Sequence, residues 1–219
     1  MNTGGMPPRT LVAFDWNGTV VDDRSRAVRA TDSVLRSRGL GEMSDQRLLA
    51  TFTLPMATWF AALGVPSGDL PDVEAEWNRA MRARTARLRA GARSVLTALR
   101  DGGVRLVVVS AASDDAVGAD IDASATGSLF HQVDAGVVDK AAHLNALRQP
   151  DDVLAVYVGD TEYDVAAGRE AGFRTVGITG GYQAATPLHS CADAVVDTFA
   201  QLHDVLLGWC PAASTRGTI

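Results

Sequence analysis

The chain has 219 residues, enough for one full core or for a core domain with a small second one. Its hydrophobic share of 47% and charged share of 21% are those of an ordinary globular protein, which argues against a disordered or fibrous chain. A net charge of −6 argues against recognition of a nucleic-acid backbone and against an anionic membrane surface as partner.

Residues 1–8 and 211–219 read as flexible termini around a folded stretch. The first apolar run, Leu11–Phe14, has the length of a buried strand and delivers a carboxylate, Asp15, into a turn that contains Gly18. From about residue 24 to 89 no Val-rich strand occurs. Val28, Val34 and Leu35, then Leu48, Leu49 and Phe52, then Trp59, Phe60 and Leu63 suit amphipathic helices broken at Gly39–Glu42 and Gly64–Pro71. Strand-length runs resume at Val104–Val109, Val153–Val158, Thr175–Ile178 and Ala194–Val196. Helical patterns stand between them and end at Gly102-Gly103, Pro150 and Gly172. Such alternation predicts an α/β fold, a doubly wound parallel sheet with a Rossmann-like core over residues 9–23 and 90–210, carrying a small all-helical insertion over 24–89. No apolar run approaches the roughly 20 residues that span a bilayer, and Met1 to Thr10 lack a signal-peptide pattern, so a cytoplasmic location is expected. Cys191 and Cys210 have no metal or redox spacing and read as thiols of a reducing compartment.

Four polar sites follow apolar runs in chain order. Asp15 is the first. Ser110 ends Val107-Val108-Val109. Lys140 comes third; of the 20 basic residues it is the only lysine, a compact ammonium in a chain otherwise supplied with planar guanidinium groups. Asp160 and Asp164 close the series in Gly159-Asp160-Thr161-Glu162-Tyr163-Asp164. Together these stretches resemble the four motifs of the haloacid dehalogenase superfamily, in its phosphatase branch, over about residues 10–205. The insertion at 24–89 matches the helical cap that many members carry between the first two motifs. The resemblance implies a magnesium-dependent phosphatase of the phosphoglycolate phosphatase type that works through an aspartyl-phosphate. It implies Asp15 as nucleophile and Asp15, the Asn17 carbonyl and Asp160 as Mg2+ ligands, with Asp164 as a further ligand or supporting carboxylate. Ser110 and Lys140 would hold the phosphoryl oxygens. Backbone N–H groups around Trp16, Asn17, Gly18 and Ala111 would add a nest for the anion. A small phosphorylated metabolite is the implied partner; no feature distinguishes a sugar phosphate, phosphoglycolate or a nucleotide, or fixes an oligomeric state.

The chain departs from the motif at Asn17, where the family has the Asp that protonates the leaving group and then activates water. Asn has no such proton to give, and loss of a positioned acid/base costs about 10²–10⁴-fold. Either another group replaces the acid, or the substrate carries a leaving group that needs little help. An engineered Asn, a catalytically weak phosphometabolite-binding or regulatory protein on the same fold, and a different hydrolase of the superfamily are the alternatives. On the first two readings Asn17→Asp raises turnover. Elsewhere Asp22 and Asp23 read as a solvated turn, and Asp114, Asp115, Asp120 and Asp122 as a solvated acidic surface. The Arg run at 79, 82, 84, 87 and 89 reads as a solvated helix face, Trp59, Phe60 and Trp77 as packing between cap and core, the four His as surface or packing residues, and Gly180-Gly181-Tyr182 as a loop near the site.

Overall fold

The computed structural model describes residues 10–210, so the expectations for 1–8 and 211–219 lie outside the described residues. The strands are β1 (Thr10–Phe14), β2 (Val21–Asp22), β3 (Arg87–Leu88), β4 (Arg105–Val109), β5 (Gln132–Asp134), β6 (Leu154–Gly159), β7 (Arg174–Ile178) and β8 (Ala194–Val196). The α-helices are α1 (Arg24–Arg36), α2 (Asp45–Thr51), α3 (Met56–Ala62), α4 (Leu70–Arg82), α5 (Ala92–Asp101), α6 (Asp114–Ser124), α7 (Lys140–Leu147), α8 (Glu162–Glu170), α9 (Ala185–Cys191) and α10 (Phe199–Trp209).

Six strands form one sheet in the order β5-β4-β1-β6-β7-β8, every neighbouring pair parallel. The chain winds outward from β1 through β4 to β5, then returns to β6 on the other side of β1. The reversal lies at β1, and a crevice opens outside the carboxyl ends of strands at such a switch point. Alternate residues of each strand face opposite layers. Val12, Phe14, Leu106, Val108, Val156 and Val158 pack with α5 and α10, whereas Leu11, Ala13, Val107, Val109 and Tyr157 pack with α7 and α8. This two-sided burial is why the strands read as continuous apolar runs.

The helices α1–α4 build a cluster of their own from Val34, Leu35, Leu48, Trp59, Phe60, Trp77 and Met81. The break expected to run to Pro71 ends two residues sooner, because Pro71 stands in the first turn of α4, where its missing N–H costs nothing. Two short elements have no strand-like signal in the sequence: the ribbon of β2 with β3, and the edge strand β5. Among the described residues no helix is long and apolar enough to cross a membrane.

Candidate active site

Asp15 directly follows β1, and its N–H donates to the Val158 carbonyl, which locks the loop after β1 to β6 (2.9 Å). Asp160 directly follows β6 and Ser110 directly follows β4, so three adjacent strand ends supply three side chains to one cleft. Lys140 enters from the first turn of α7, whose N-terminus Asp139 caps by accepting from the Ala142 N–H (2.9 Å). Its Nζ donates to Asp15 Oδ1 and to Asp164 Oδ1, each at 2.7 Å. The ammonium is fully buried. Burial works against its charge, but Asp15 and Asp164 outweigh that and hold it protonated, well above the ordinary lysine range.

The same burial favours the neutral form of two of the carboxyl groups. Burial raises Asp15 to about 6, opposed by the charge of Lys140. Burial, then the neighbouring charges of Asp15 and Asp164, raises Asp160 well above the usual range. Ligand atoms of Asp15, Asp160 and Asp164 all lie within 4.8 Å of one another, and all three residues are buried. Three carboxyl groups against one ammonium leave an excess of negative charge in a dry site, which fits a hard divalent cation with oxygen ligands. Thr19 ties two of the three together, its Oγ1 donating toward Asp160 Oδ1 (3.1 Å) and Asp15 Oδ2 (3.3 Å). Gly18, at φ +74°, lies so close to Asp160 that a Cβ would stand 2.4 Å from its Oδ2. Asp164 is the most committed of the three. Its Oδ1 also accepts from the Tyr157 hydroxyl (3.2 Å), and its Oδ2 completes a capping box with Thr161 at the start of α8.

Several sequence expectations need correction. Asp23 is not a solvated residue; it is 2% exposed and organises the first loop. Its Oδ1 accepts from the Gly18 N–H (2.9 Å), while its Oδ2 accepts from Asn17 Nδ2 (2.6 Å), Arg26 (2.9 Å) and the Tyr182 hydroxyl (2.9 Å). The Gly18 N–H is therefore spent on Asp23 and is not offered to a bound anion. The Trp16 indole is buried and donates to Asp120 (3.3 Å), so what Trp16 brings to the site is its backbone, which bonds the Asp15 carboxyl. Asn17, Ser110, Ala111 and Lys140 line the cleft. Asp120 is fully buried rather than solvated, and takes a two-pronged contact from Arg26 at 2.9 and 2.7 Å. The Arg run is no single helix face: Arg79 and Arg82 end α4, Arg87 lies in β3, and Arg89 is half-buried with its guanidinium on the Gly18 and Thr179 carbonyls. Gly180-Gly181-Tyr182 does lie at the site, with the Tyr182 N–H donating to Asp160 Oδ2 (2.6 Å).

The missed residues had a signal. Arg26 is in phase with the buried Ala30 and Val34 on α1, and Asp120 with Val117 and Ile121 on α6. A charge in an apolar phase calls for a partner, and each is the other's.

A parallel sheet that gathers an aspartate, a serine, a buried lysine and two further aspartates at its switch point defines an α/β enzyme site built for an anionic group and a cation. The sequence matches the haloacid dehalogenase-like hydrolases over residues 12–178. It is 27% identical over 210 residues to a phosphoglycolate phosphatase of Pseudomonas putida, covering 88% of this chain and 77% of that protein. A predicted phosphoglycolate phosphatase from Haemophilus somnus has the same fold, with TM-score 0.78 at 21% identity, covering 92% of this chain and all of the other. A predicted phosphatase from Clostridium acetobutylicum superposes with TM-score 0.79 at 19% identity, covering 91% and 99%. The chain belongs to the haloacid dehalogenase-like hydrolases.

Proposed function

We propose that this enzyme is a Mg2+-dependent phosphomonoester hydrolase acting on a small phosphorylated metabolite in the cytoplasm. The observation that carries the reading is the Asp15 carboxylate at the end of β1, between the buried Lys140 ammonium and Asp160, with Ser110 on the same cleft. Asp15 attacks phosphorus in line, the phosphorus–oxygen bond to the leaving alcohol breaks, and its electron pair departs on the alcohol oxygen. Water then attacks the aspartyl-phosphate and returns Asp15 with inorganic phosphate. Lys140 offsets charge on the phosphoryl oxygens, and Ser110 and the Ala111 N–H hold them. Asp15, the Asn17 carbonyl and Asp160 would hold Mg2+, with Asp164 fixing Lys140 beside them. The cation would neutralise the repulsion between a carboxylate nucleophile and a phosphate dianion. Helices α1–α4, within residues 24–89, act as a cap: Phe52, Leu54, Met56, Glu74, Trp77 and Asn78 form the outer end of the cleft. The test is phosphate release from small phosphoesters with and without Mg2+; activity lost to chelator and restored by the metal supports the reading, and no release from any ester sinks it.

Proton competition sets a pH dependence. The Asp15 carboxyl is raised to about 6 and Asp160 is raised as well, so below pH 6 protons occupy groups that the metal requires. Mg2+ affinity therefore weakens by about tenfold or more per unit as pH falls below 6, and levels off at higher pH once both carboxyl groups are ionised. Isothermal titration of the metal across pH 5–8 reads this directly. Without metal the sign of the stability effect is opposite. The unfolded Asp ionises near 3.8 while the folded one keeps its proton to about 6, so the fold loses stability as pH rises through that window.

The geometry also revises what Asn17→Asp does. A carboxylate at 17 would stand where the amide nitrogen now lies, 2.6 Å from Asp23 Oδ2, and would be repelled or displaced. Alone, Asn17→Asp leaves turnover of alkyl phosphates unchanged or lower. Combined with Asp23→Asn it restores a held acid, and turnover rises by about 10-fold or more over the parent. Steady-state rates of the two single variants and the double variant decide it.

A further inference from the structure

The cleft has two unlike ends. The inner end holds the carboxylates, Lys140 and Ser110. The outer end is apolar, from Phe52, Leu54, Met56 and Trp77, and its polar side chains are Glu74 and Asn78. Among the residues lining the cleft Lys140 is the one basic group, and its Nζ is already shared between Asp15 and Asp164. A second anionic group on a reactant would therefore lie against apolar walls and the Glu74 carboxylate with no countercharge, an expensive burial.

We infer that the substrate is a phosphate monoester whose alcohol part carries no anionic group: a partly apolar, hydroxyl- or amine-bearing alcohol whose donors meet Glu74. This rests on the phosphatase reading above. It sets this chain apart from the activity named for the Pseudomonas putida relative, since phosphoglycolate carries a carboxylate beside its phosphate. The cap excludes it by charge, while the phosphoryl end serves both kinds of ester alike.

The experiment compares kcat/KM with Mg2+ for O-phosphoethanolamine and glycerol 1-phosphate against phosphoglycolate and 3-phosphoglycerate, with p-nitrophenyl phosphate as a reporter whose leaving group needs no acid. Both uncharged-alcohol and amino-alcohol esters are expected to exceed both carboxylate esters by about tenfold or more. Glu74 is exposed, so Glu74→Lys is compatible with folding, and it should shift the phosphoglycolate-to-phosphoethanolamine ratio by about fivefold toward phosphoglycolate. Hydrolysis of p-nitrophenyl phosphate with phosphoglycolate as the best natural-type ester, or a ratio indifferent to Glu74→Lys, overturns the inference and leaves the phosphatase reading intact. Failure to hydrolyse p-nitrophenyl phosphate overturns both.

Discussion

Asp15→Asn is expected to abolish phosphate release, with a fall in kcat of about 10⁴-fold or more, the scale of losing a covalent nucleophile. The change is nearly isosteric, so the packing of the loop survives. What disappears is the oxygen proposed as nucleophile and one of the three clustered carboxylates that would hold the cation. The loss also removes a partner of Lys140, which keeps Asp164 at 2.7 Å and stays charged. The variant therefore folds and retains affinity for inorganic phosphate while failing to turn over. Rapid-quench measurement of a protein-bound phosphoryl group separates the roles: the parent accumulates or passes through an acid-stable aspartyl-phosphate, and Asp15→Asn forms none. A variant with residual turnover within tenfold of the parent would remove Asp15 from the reaction.

The second large effect concerns stability. Arg26→Met is expected to cost about 3–5 kcal/mol, the scale of stripping one partner from a buried ion pair. Arg26 is 4% exposed, between Asp23 and Asp120, and also donates to the Arg84 carbonyl (2.8 Å). Burial opposes its charge, but Asp120 and Asp23 outweigh it and raise the guanidinium above its already high range. Methionine fills much of the volume and leaves two carboxylates facing each other in a dry interior. Adding Asp120→Asn should recover part of the loss, since the carboxamide carries no charge and its oxygen can still accept from the Ala86 N–H. Thermal or urea unfolding of the single and double variants measures both. An Arg26→Met protein as stable as the parent would mean that the cluster is hydrated in solution.

Much of the sheet was legible because its strands are buried on both faces and so read as apolar runs; β1, β4, β6, β7 and β8 lie within a residue or so of their expected bounds. The edge strand β5 was not, since Gln132 and Val133 are exposed and Asp134 half-buried, and three such residues carry no pattern. The groups on the site at Asp15, Ser110, Lys140, Asp160 and Asp164 were legible for a related reason: each follows or starts an element whose pattern is clear. Asp23 and Asp120 were hidden because a lone acidic residue looks solvated until its partner is known. That partner, Arg26, is 94 residues from Asp120 in sequence. Gly18 was misjudged for the same reason, because its N–H belongs to a residue whose own burial depends on distant contacts.

The separations within the site also bear on how it comes into being. Lys140 meets Asp15 across 125 positions, and Thr19 meets Asp160 across 141. Contacts of that range close late, after loop entropy has been overcome by strand docking. A chain still emerging from synthesis, complete through α4 and β4 but lacking β6, has the Asp15 loop without Lys140, Asp160 or Asp164. Catalytic competence is thus the final product of folding, and recovery of activity after dilution from denaturant should lag behind recovery of helical signal.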